Sequence, residues 1–210
     1  MLLRVTAGVA SAVLALAAVG GESMAAPSPQ SVPATAQPAS ETDATGQAEP
    51  GGWGPASSLT GAARAAWVRC AAQLGVSFDQ TVRVRRFGET RETTERILPL
   101  VRSGEKTITT TTPWIYDVDP EQKPLPGAYS VVVDADLKPA FTLRTTATRT
   151  LAYEQVDEED TQYEGKPVRP LAVWRDVHVR YFNRVLKPYG REWREDMPVT
   201  LERFEVVCDP

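Results

Sequence analysis

The sequence changes character near residue 58, and this change decides which part of the chain can fold. Residues 26–57 are rich in Pro, Ala, Ser and Thr, and Trp53 is their only large side chain. Such a composition buries too little apolar surface to offset the entropy lost on ordering the backbone. We therefore predict a disordered linker over residues 26–57, followed by one folded domain of ordinary size over residues 58–210.

The first 25 residues predict an exported protein. Met1–Arg4 forms a short positive region, Val5–Gly20 is an uncharged run rich in Ala, Val and Leu, and Ser23–Ala25 offers the small residues that signal peptidase requires. Because the run is short and rich in Ala and Gly, cleavage is favoured over a permanent span. We predict a signal peptide over residues 1–25, a secreted or periplasmic location and no membrane contact after cleavage. A retained anchor is the alternative.

Charge and metal-ligand content restrict the partners of the folded part. From Gly51 onward the chain carries 22 Lys and Arg residues against 23 Asp and Glu residues. A domain that grips long nucleic acid is normally basic, so a nucleic-acid role here requires a local pocket. One histidine and two distant cysteines cannot build a zinc site. We expect no metal, no cofactor and a monomer.

The two cysteines, Cys70 and Cys208, lie at opposite ends of the predicted domain. In an oxidising compartment, a pair in such positions is more often bonded than free. We therefore predict a disulfide that joins the first helix of the domain to its final strand.

Hydrophobic periodicity predicts an α+β fold. Helices are expected over residues 59–74, 90–102 and 171–187, with a short acidic one within 154–165. Strands are expected over residues 82–86, 106–112 with a continuation at 114–116, 129–134, 140–151 and 199–208. The strands at 129–134 and 140–151 are separated by a short turn and predict a hairpin.

The segment from Ser103 to Thr112 combines groups that chemistry uses. Gly104 makes a backbone turn favourable between the preceding helix and the strand. In a regular strand Lys106 and Thr109 would point to opposite faces, so they converge only if the backbone turns between them. A lysine and a hydroxyl on one irregular loop can bind a phosphate or activate a nucleophile. The structural alternative is an ordinary helix-to-strand corner.

Other residues are candidates for ligand contact, each with a structural alternative. Trp114 and Tyr116 share a face of the expected strand and can stack a flat base or pack in the core. Arg85 shares a face with Arg83, where they contact a phosphate or form a solvated edge. His178, the only histidine, lies among aromatic residues on the longest helix, where it lines a pocket or bonds a backbone group.

Two carboxylates differ from the solvated acidic run at residues 157–160. Glu164 precedes Gly165, where the chain must turn. Glu202 shares a face of the final strand with Phe204, and a buried carboxylate there needs a partner. An arginine of structural purpose is the expected partner.

Taken in order, the segments of this chain resemble the ASCH domain, a PUA-like β-barrel family, over residues 87–207. The segments that carry the resemblance are FGET at 87–90, SGEKTIT at 103–109, WIY at 114–116, LPGAYSVVVD at 125–134, YEQVDEEDTQYEG at 153–165, WRDVHVRYF at 174–182 and GREWREDMPVTLERFEVV at 190–207. The resemblance implies an α+β fold with a β-barrel of about five to six strands and flanking helices. The helix around Trp67 resembles the one that precedes the barrel in longer members.

The resemblance also implies a cleft directed at nucleotides or RNA, lined by the G-x-K-x-x-T motif of Gly104, Lys106 and Thr109. Short family members include amidohydrolases that remove the acetyl group of N(4)-acetylcytidine with this lysine and threonine and a later glutamate, which falls on Glu164. Some longer members resemble ribonucleases or RNA-binding modules. We therefore expect a nucleoside or short RNA ligand and either an amidohydrolase or a single-stranded RNA module. The export signal and the helices at 59–74 and 171–187 distinguish this chain from the short enzymes.

Overall fold

The computed structural model describes residues 54–209, which form an α+β fold around a six-stranded sheet. The elements in chain order are β1 (Gly54–Pro55), α1 (Gly61–Leu74), β2 (Thr81–Arg85), α2 (Arg91–Arg102), β3 (Ile108–Thr111), α3 (Pro113–Tyr116), β4 (Tyr129–Val133), β5 (Pro139–Ala152), α4 (Glu158–Thr161), α5 (Leu171–Val185) and β6 (Pro198–Cys208). The strand order is β1-β2-β4-β5-β6-β3, and only the β2–β4 pair is parallel. The predicted class and strand number are confirmed. Within residues 54–209 the edge strands β1 and β3 are not paired with each other, so the sheet is open.

The described structure includes residues 54–57, which the sequence analysis placed in the linker. The predicted signal peptide and residues 26–53 of the predicted linker lie outside the described residues. Gly54 and Pro55 pair with β2, and Ala56 is fully buried in the cluster around α1. Residues 54–57 therefore belong to the domain because they add a short strand and a core contact. No helix in residues 54–209 is long and apolar enough to cross a membrane.

Helix α1 covers one face of the sheet. Trp67 is fully buried and belongs to the same core cluster as Val131 on β4. The helix ends at Gly75, which adopts the left-handed conformation with φ 67° that few other residues tolerate. Cys70 on α1 is bonded to Cys208 at the end of β6, with 5.7 Å between the Cα atoms. The predicted disulfide is confirmed.

Helices α2 and α5 complete the core with separate apolar clusters. Val101 of α2 packs in a cluster with Phe141 and Phe204 from the sheet. Trp174 and Phe182 of α5 are both buried in a second cluster, which also holds residues of β3 and β6. Strand β6 contributes to both clusters, with Phe204 in that of α2 and Leu201 in that of α5.

Residues 113–116 correct the sequence interpretation of Trp114 and Tyr116. Strand β3 ends at Thr111, and Pro113–Tyr116 form one helical turn instead of a continued strand. The Thr112 hydroxyl accepts a hydrogen bond from the Trp114 backbone N–H, and proline occupies the first helical position. Both features favour a helix start. The two aromatic residues therefore do not share a strand face.

Candidate functional site

Lys106, in the segment between α2 and β3, forms a buried ion pair with Glu164, in the segment after α4. The Lys106 ammonium group donates a hydrogen bond to Oε2 of Glu164. The two residues are only 8% and 3% exposed. Burying two charges is costly unless they are paired, and this pair satisfies that condition. The structure thus brings together two of the three residues that the family resemblance assigns to catalysis.

The backbone around this pair explains its position. Gly104 adopts φ 73° directly after α2, which supplies the predicted turn. The Thr107 N–H then donates to the carbonyl of Tyr163 at 2.9 Å, and the Arg169 Nε–H donates to the carbonyl of Glu164 at 2.7 Å. The first bond joins the segment after α2 to the segment after α4, and Arg169 adds a second link because its Nη2 donates to the carbonyl of Glu105 at 3.1 Å. The ion pair therefore lies on irregular chain that is held by the rest of the fold.

Glu164 has one oxygen that the fold leaves open. Its Oε1 is buried and accepts no hydrogen bond within residues 54–209. Buried polar atoms in native proteins almost always find a partner in the protein, in water or in a ligand. The open oxygen therefore marks Glu164 as an acceptor for something outside the described chain.

His178 on α5 is within the electrostatic influence of this ion pair. Its Nδ1 is 2.8 Å from the carbonyl oxygen of Trp174, and the ring stacks on that tryptophan with 4.0 Å between centroids. Because a carbonyl only accepts, Nδ1 carries the proton of the neutral ring. Burial lowers the pKa of His178 to about 4, and the charges of Glu164 and Lys106 act on it in opposite directions. At neutral pH the ring is uncharged, and Nε2 is left as an acceptor.

A second buried cluster surrounds Glu202, which is 1% exposed. Arg85 Nη1 donates to both carboxylate oxygens of Glu202, at 3.1 and 3.0 Å, and the Thr145 hydroxyl donates to Oε1 at 2.7 Å. Arg83 Nη2 lies 3.7 Å from Oε2. Burial alone would raise the pKa of Glu202, but the charges of Arg85 and Arg83 outweigh it and hold the pKa below its usual value. The expected arginine partner is confirmed.

Arg83 and Arg85 do not form the solvated edge that was one interpretation of their sequence. Strand β2 lies between β1 and β4, and Arg83 is only 5% exposed. The basic side chains point inward because the alternate positions of β2, Val82 and Val84, pack against α1.

Thr109 lies opposite the second carboxylate, Glu202, in the sheet. The register of β3 pairs Thr109 with Glu202 on β6. Directly paired residues share a face, so Thr109 and Glu202 point to the same side of the sheet. Within residues 54–209 no hydrogen bond joins Thr109 to Lys106 or Glu164. Catalytic hydrogen bonds are often long in unliganded proteins. The catalytic role of Thr109 therefore stays a prediction.

Trp114 and Tyr116 have protein partners of their own. The Tyr116 hydroxyl bonds the Thr200 hydroxyl at 2.8 Å. The guanidinium carbons of Arg191 and Arg194 lie 4.8 and 5.2 Å from the Trp114 ring centroid. No ring contact or hydrogen bond in the described part of the chain joins either aromatic residue to the Lys106–Glu164 pair.

Sequence reasoning missed Tyr181, which extends the site along α5. Its ring is 6.4 Å from the His178 ring, edge to face. Burial raises the pKa of Tyr181, and the charges of Glu89, Arg85 and Arg184 also act on it. The sequence could have indicated Tyr181, because it follows His178 by three residues and such residues lie on the same face of a helix. Helix α5 therefore carries two neighbouring side chains, one influenced by the charges of Lys106 and Glu164 and the other by the charge of Arg85.

The fold and site define a PUA-like α+β domain with buried charged groups. The family model of the ASCH domain matches residues 83–208, and the chain belongs to the ASCH domain family. The chain is similar to the crystal structure of an ASCH domain from Lactobacillus crispatus, with 30% identity over 60% of this chain and 79% of that one and a TM-score of 0.56. It is also similar to the crystal structure of protein EF3133 from Enterococcus faecalis, with 29% identity over 70% of this chain and 88% of that one and a TM-score of 0.63. No curated protein matches the sequence.

Proposed function

We propose that this domain binds an acylated nucleoside, such as N(4)-acetylcytidine, at the Lys106–Glu164 pair and hydrolyses its amide. The observation that carries the proposal is the open Oε1 of Glu164, a buried acceptor beside a buried ammonium group. Membership of the ASCH family supports a ligand of this class. The disulfide is compatible with the predicted export to an oxidising compartment.

The chemistry divides among three side chains. The Thr109 hydroxyl attacks the acyl carbon and needs a neighbour to take its proton. Glu164 Oε1 accepts that proton and passes it to the leaving amine, while the Lys106 ammonium group stabilises the oxyanion. The C–N bond breaks, and cytidine leaves an acetyl ester on Thr109. Water then hydrolyses the ester, which releases acetate and restores the hydroxyl.

The test is the release of cytidine from N(4)-acetylcytidine, followed by chromatography. Lys106→Ala and Thr109→Ala should each lower the rate by at least about 100-fold, as expected for loss of an electrostatic stabiliser or a nucleophile. Thr111→Ala is the matched control, because Thr111 lies on the same strand and face, and its rate should stay within a few-fold of wild type. A wild-type rate no higher than that of Thr109→Ala on a panel of acylated nucleosides would refute the enzyme.

One observation favours a second candidate, a single-stranded RNA module. Arg191 and Arg194 both contact the Trp114 ring, and Lys123 lies 6.0 Å from the Tyr116 ring centroid. Aromatic and cationic groups in alternation are typical of surfaces that bind single strands. The near-neutral charge of the domain predicts a shallow salt dependence of binding. A steep dependence that Arg191→Ala reduces would favour RNA binding over amide hydrolysis.

A further inference from the structure

The guanidinium group of Arg85 is anchored on one side and open on the other. Nη1 is occupied by both oxygens of Glu202, and the guanidinium carbon lies 4.7 Å from the ring centroid of Phe87. Nε and Nη2 make no hydrogen bond within residues 54–209, and neither is among the fully buried polar atoms. The side chain as a whole is 16% exposed. The edge of Arg85 formed by Nε and Nη2 therefore keeps two parallel N–H groups that the described residues do not bond and do not fully bury.

This open edge lies close to the proposed hydrolytic site. The register of β3 and β6 pairs Thr109, the proposed nucleophile, with Glu202. Arg85 donates to both carboxylate oxygens of that glutamate. Arg85 and Thr109 are therefore both neighbours of Glu202.

The charges around the edge favour an anion. Glu202 carries one negative charge and contacts the guanidinium groups of both Arg85 and Arg83. The other nearby carboxylate, Glu89, is paired with Arg184. Neither carboxylate is therefore available to neutralise a further group, and an incoming anion meets a pre-oriented cation.

We infer that the open edge of Arg85 binds the phosphate of the ligand through Nε and Nη2, so that the preferred ligand is a nucleoside monophosphate rather than a neutral nucleoside. A planar guanidinium edge matches two phosphate oxygens with two parallel hydrogen bonds. The inference rests on the proposed function only for the position of the base, since the anion contact requires no turnover.

The experiment measures binding by calorimetry with the purified full-length protein. The probes are cytidine, cytidine 5′-monophosphate and the dinucleotide CpC, whose phosphate is an internal diester. We expect cytidine 5′-monophosphate to bind at least about 10-fold more tightly than cytidine, the gain that charge-assisted hydrogen bonds supply. Equal affinities would overturn the inference. A preference for CpC over the monophosphate would also overturn it, in favour of a strand phosphodiester.

Variants assign the preference to Arg85. Arg85→Lys keeps a positive charge beside Glu202 but removes the planar pair of donors, so the monophosphate should lose about 10-fold in affinity while cytidine is unchanged. Arg69→Gln, on the exposed face of α1, is the matched control and should change neither value. An unchanged preference in Arg85→Lys would overturn the assignment to Arg85.

The two hypotheses fail separately. A protein that binds the monophosphate through Arg85 but hydrolyses no acylated nucleoside contradicts the proposed function and leaves the anion site in place. A protein that hydrolyses N(4)-acetylcytidine and binds cytidine and its monophosphate equally keeps the proposed function and loses the anion site.

Discussion

Glu164 and Glu202 are both buried carboxylates that contact cations, but the fold satisfies them to different degrees. Both oxygens of Glu202 accept hydrogen bonds from Arg85, and Oε1 also accepts one from Thr145. Glu164 uses Oε2 for Lys106, whereas its Oε1 accepts nothing from residues 54–209. A saturated carboxylate fixes its neighbours, while an open one can take a hydrogen bond or a proton from a ligand. Both carboxylates are buried and both contact cations, so the two sites differ most in the unbonded Oε1 of Glu164.

Removal of Glu202 should give the largest loss of stability. Glu202→Ala leaves the buried Arg85 without its carboxylate and Thr145 without its acceptor, which costs about 3–5 kcal/mol by analogy with other broken buried pairs. The free energy of unfolding in urea measures this cost.

The matched control for Glu202 is Glu205→Ala, an exposed position on the same strand. Its effect should stay within about 0.5 kcal/mol, as is usual at the surface. If Glu202→Ala and Glu205→Ala cost the same, the cluster does not stabilise the fold, and the contrast between the two carboxylates fails.

The second prediction concerns His178, the only histidine in the chain. The charge of Glu164 acts on its pKa. The folded state takes up a proton on His178 only near pH 4, whereas an unfolded histidine does so near pH 6.5. The unfolded state therefore binds more protons in this interval, and stability should fall as the pH drops from about 6.5 to 4. The loss amounts to at most about 3 kcal/mol.

Urea unfolding at several pH values and the NMR titration of the single imidazole check this expectation. His178→Gln should remove the pH dependence that this group supplies, because glutamine does not titrate. A folded-state pKa of His178 near 6.5 would contradict the neutral, half-buried ring. Glu202→Gln is the matched control for the titration, and it should leave the pKa of His178 unchanged.

The sequence predicts the parts of the fold that local pattern encodes. The helix at 171–185 and the hairpin of β4 and β5 are long enough for their periodicity to be decisive. Residues 113–116 were misinterpreted because a short run of Trp, Ile and Tyr after Pro113 suits a strand or a helical turn equally. The helix follows from the hydroxyl of Thr112 and from proline at the first helical position.

The sequence indicates candidate residues for the site but not which of them contact each other. The family resemblance supplies Lys106 and Glu164, yet they are 58 residues apart, and their pairing depends on hydrogen bonds between two loops. An arginine partner was expected for Glu202, but Arg85 is 117 residues away and nothing local selects it. Both pairings depend on how distant segments meet in the folded chain, which no short segment encodes.

The smallest effect on stability should come from replacing the Lys106–Glu164 pair as a unit. Lys106→Met combined with Glu164→Leu removes both charges and the unsatisfied Oε1 while nearly conserving volume. Such replacements are neutral or stabilising by about 1–4 kcal/mol in other proteins, so urea unfolding should show no loss of stability. The same protein should lose amide hydrolysis, because it lacks the oxyanion stabiliser and the proton acceptor.

The matched replacement Arg85→Met with Glu202→Leu should cost stability, since the Thr145 hydroxyl and Arg83 would both lose the carboxylate that they contact. Equal losses of stability in the two double variants would show that both pairs stabilise the fold, and unchanged hydrolysis in Lys106→Met with Glu164→Leu would show that the open oxygen of Glu164 is not used.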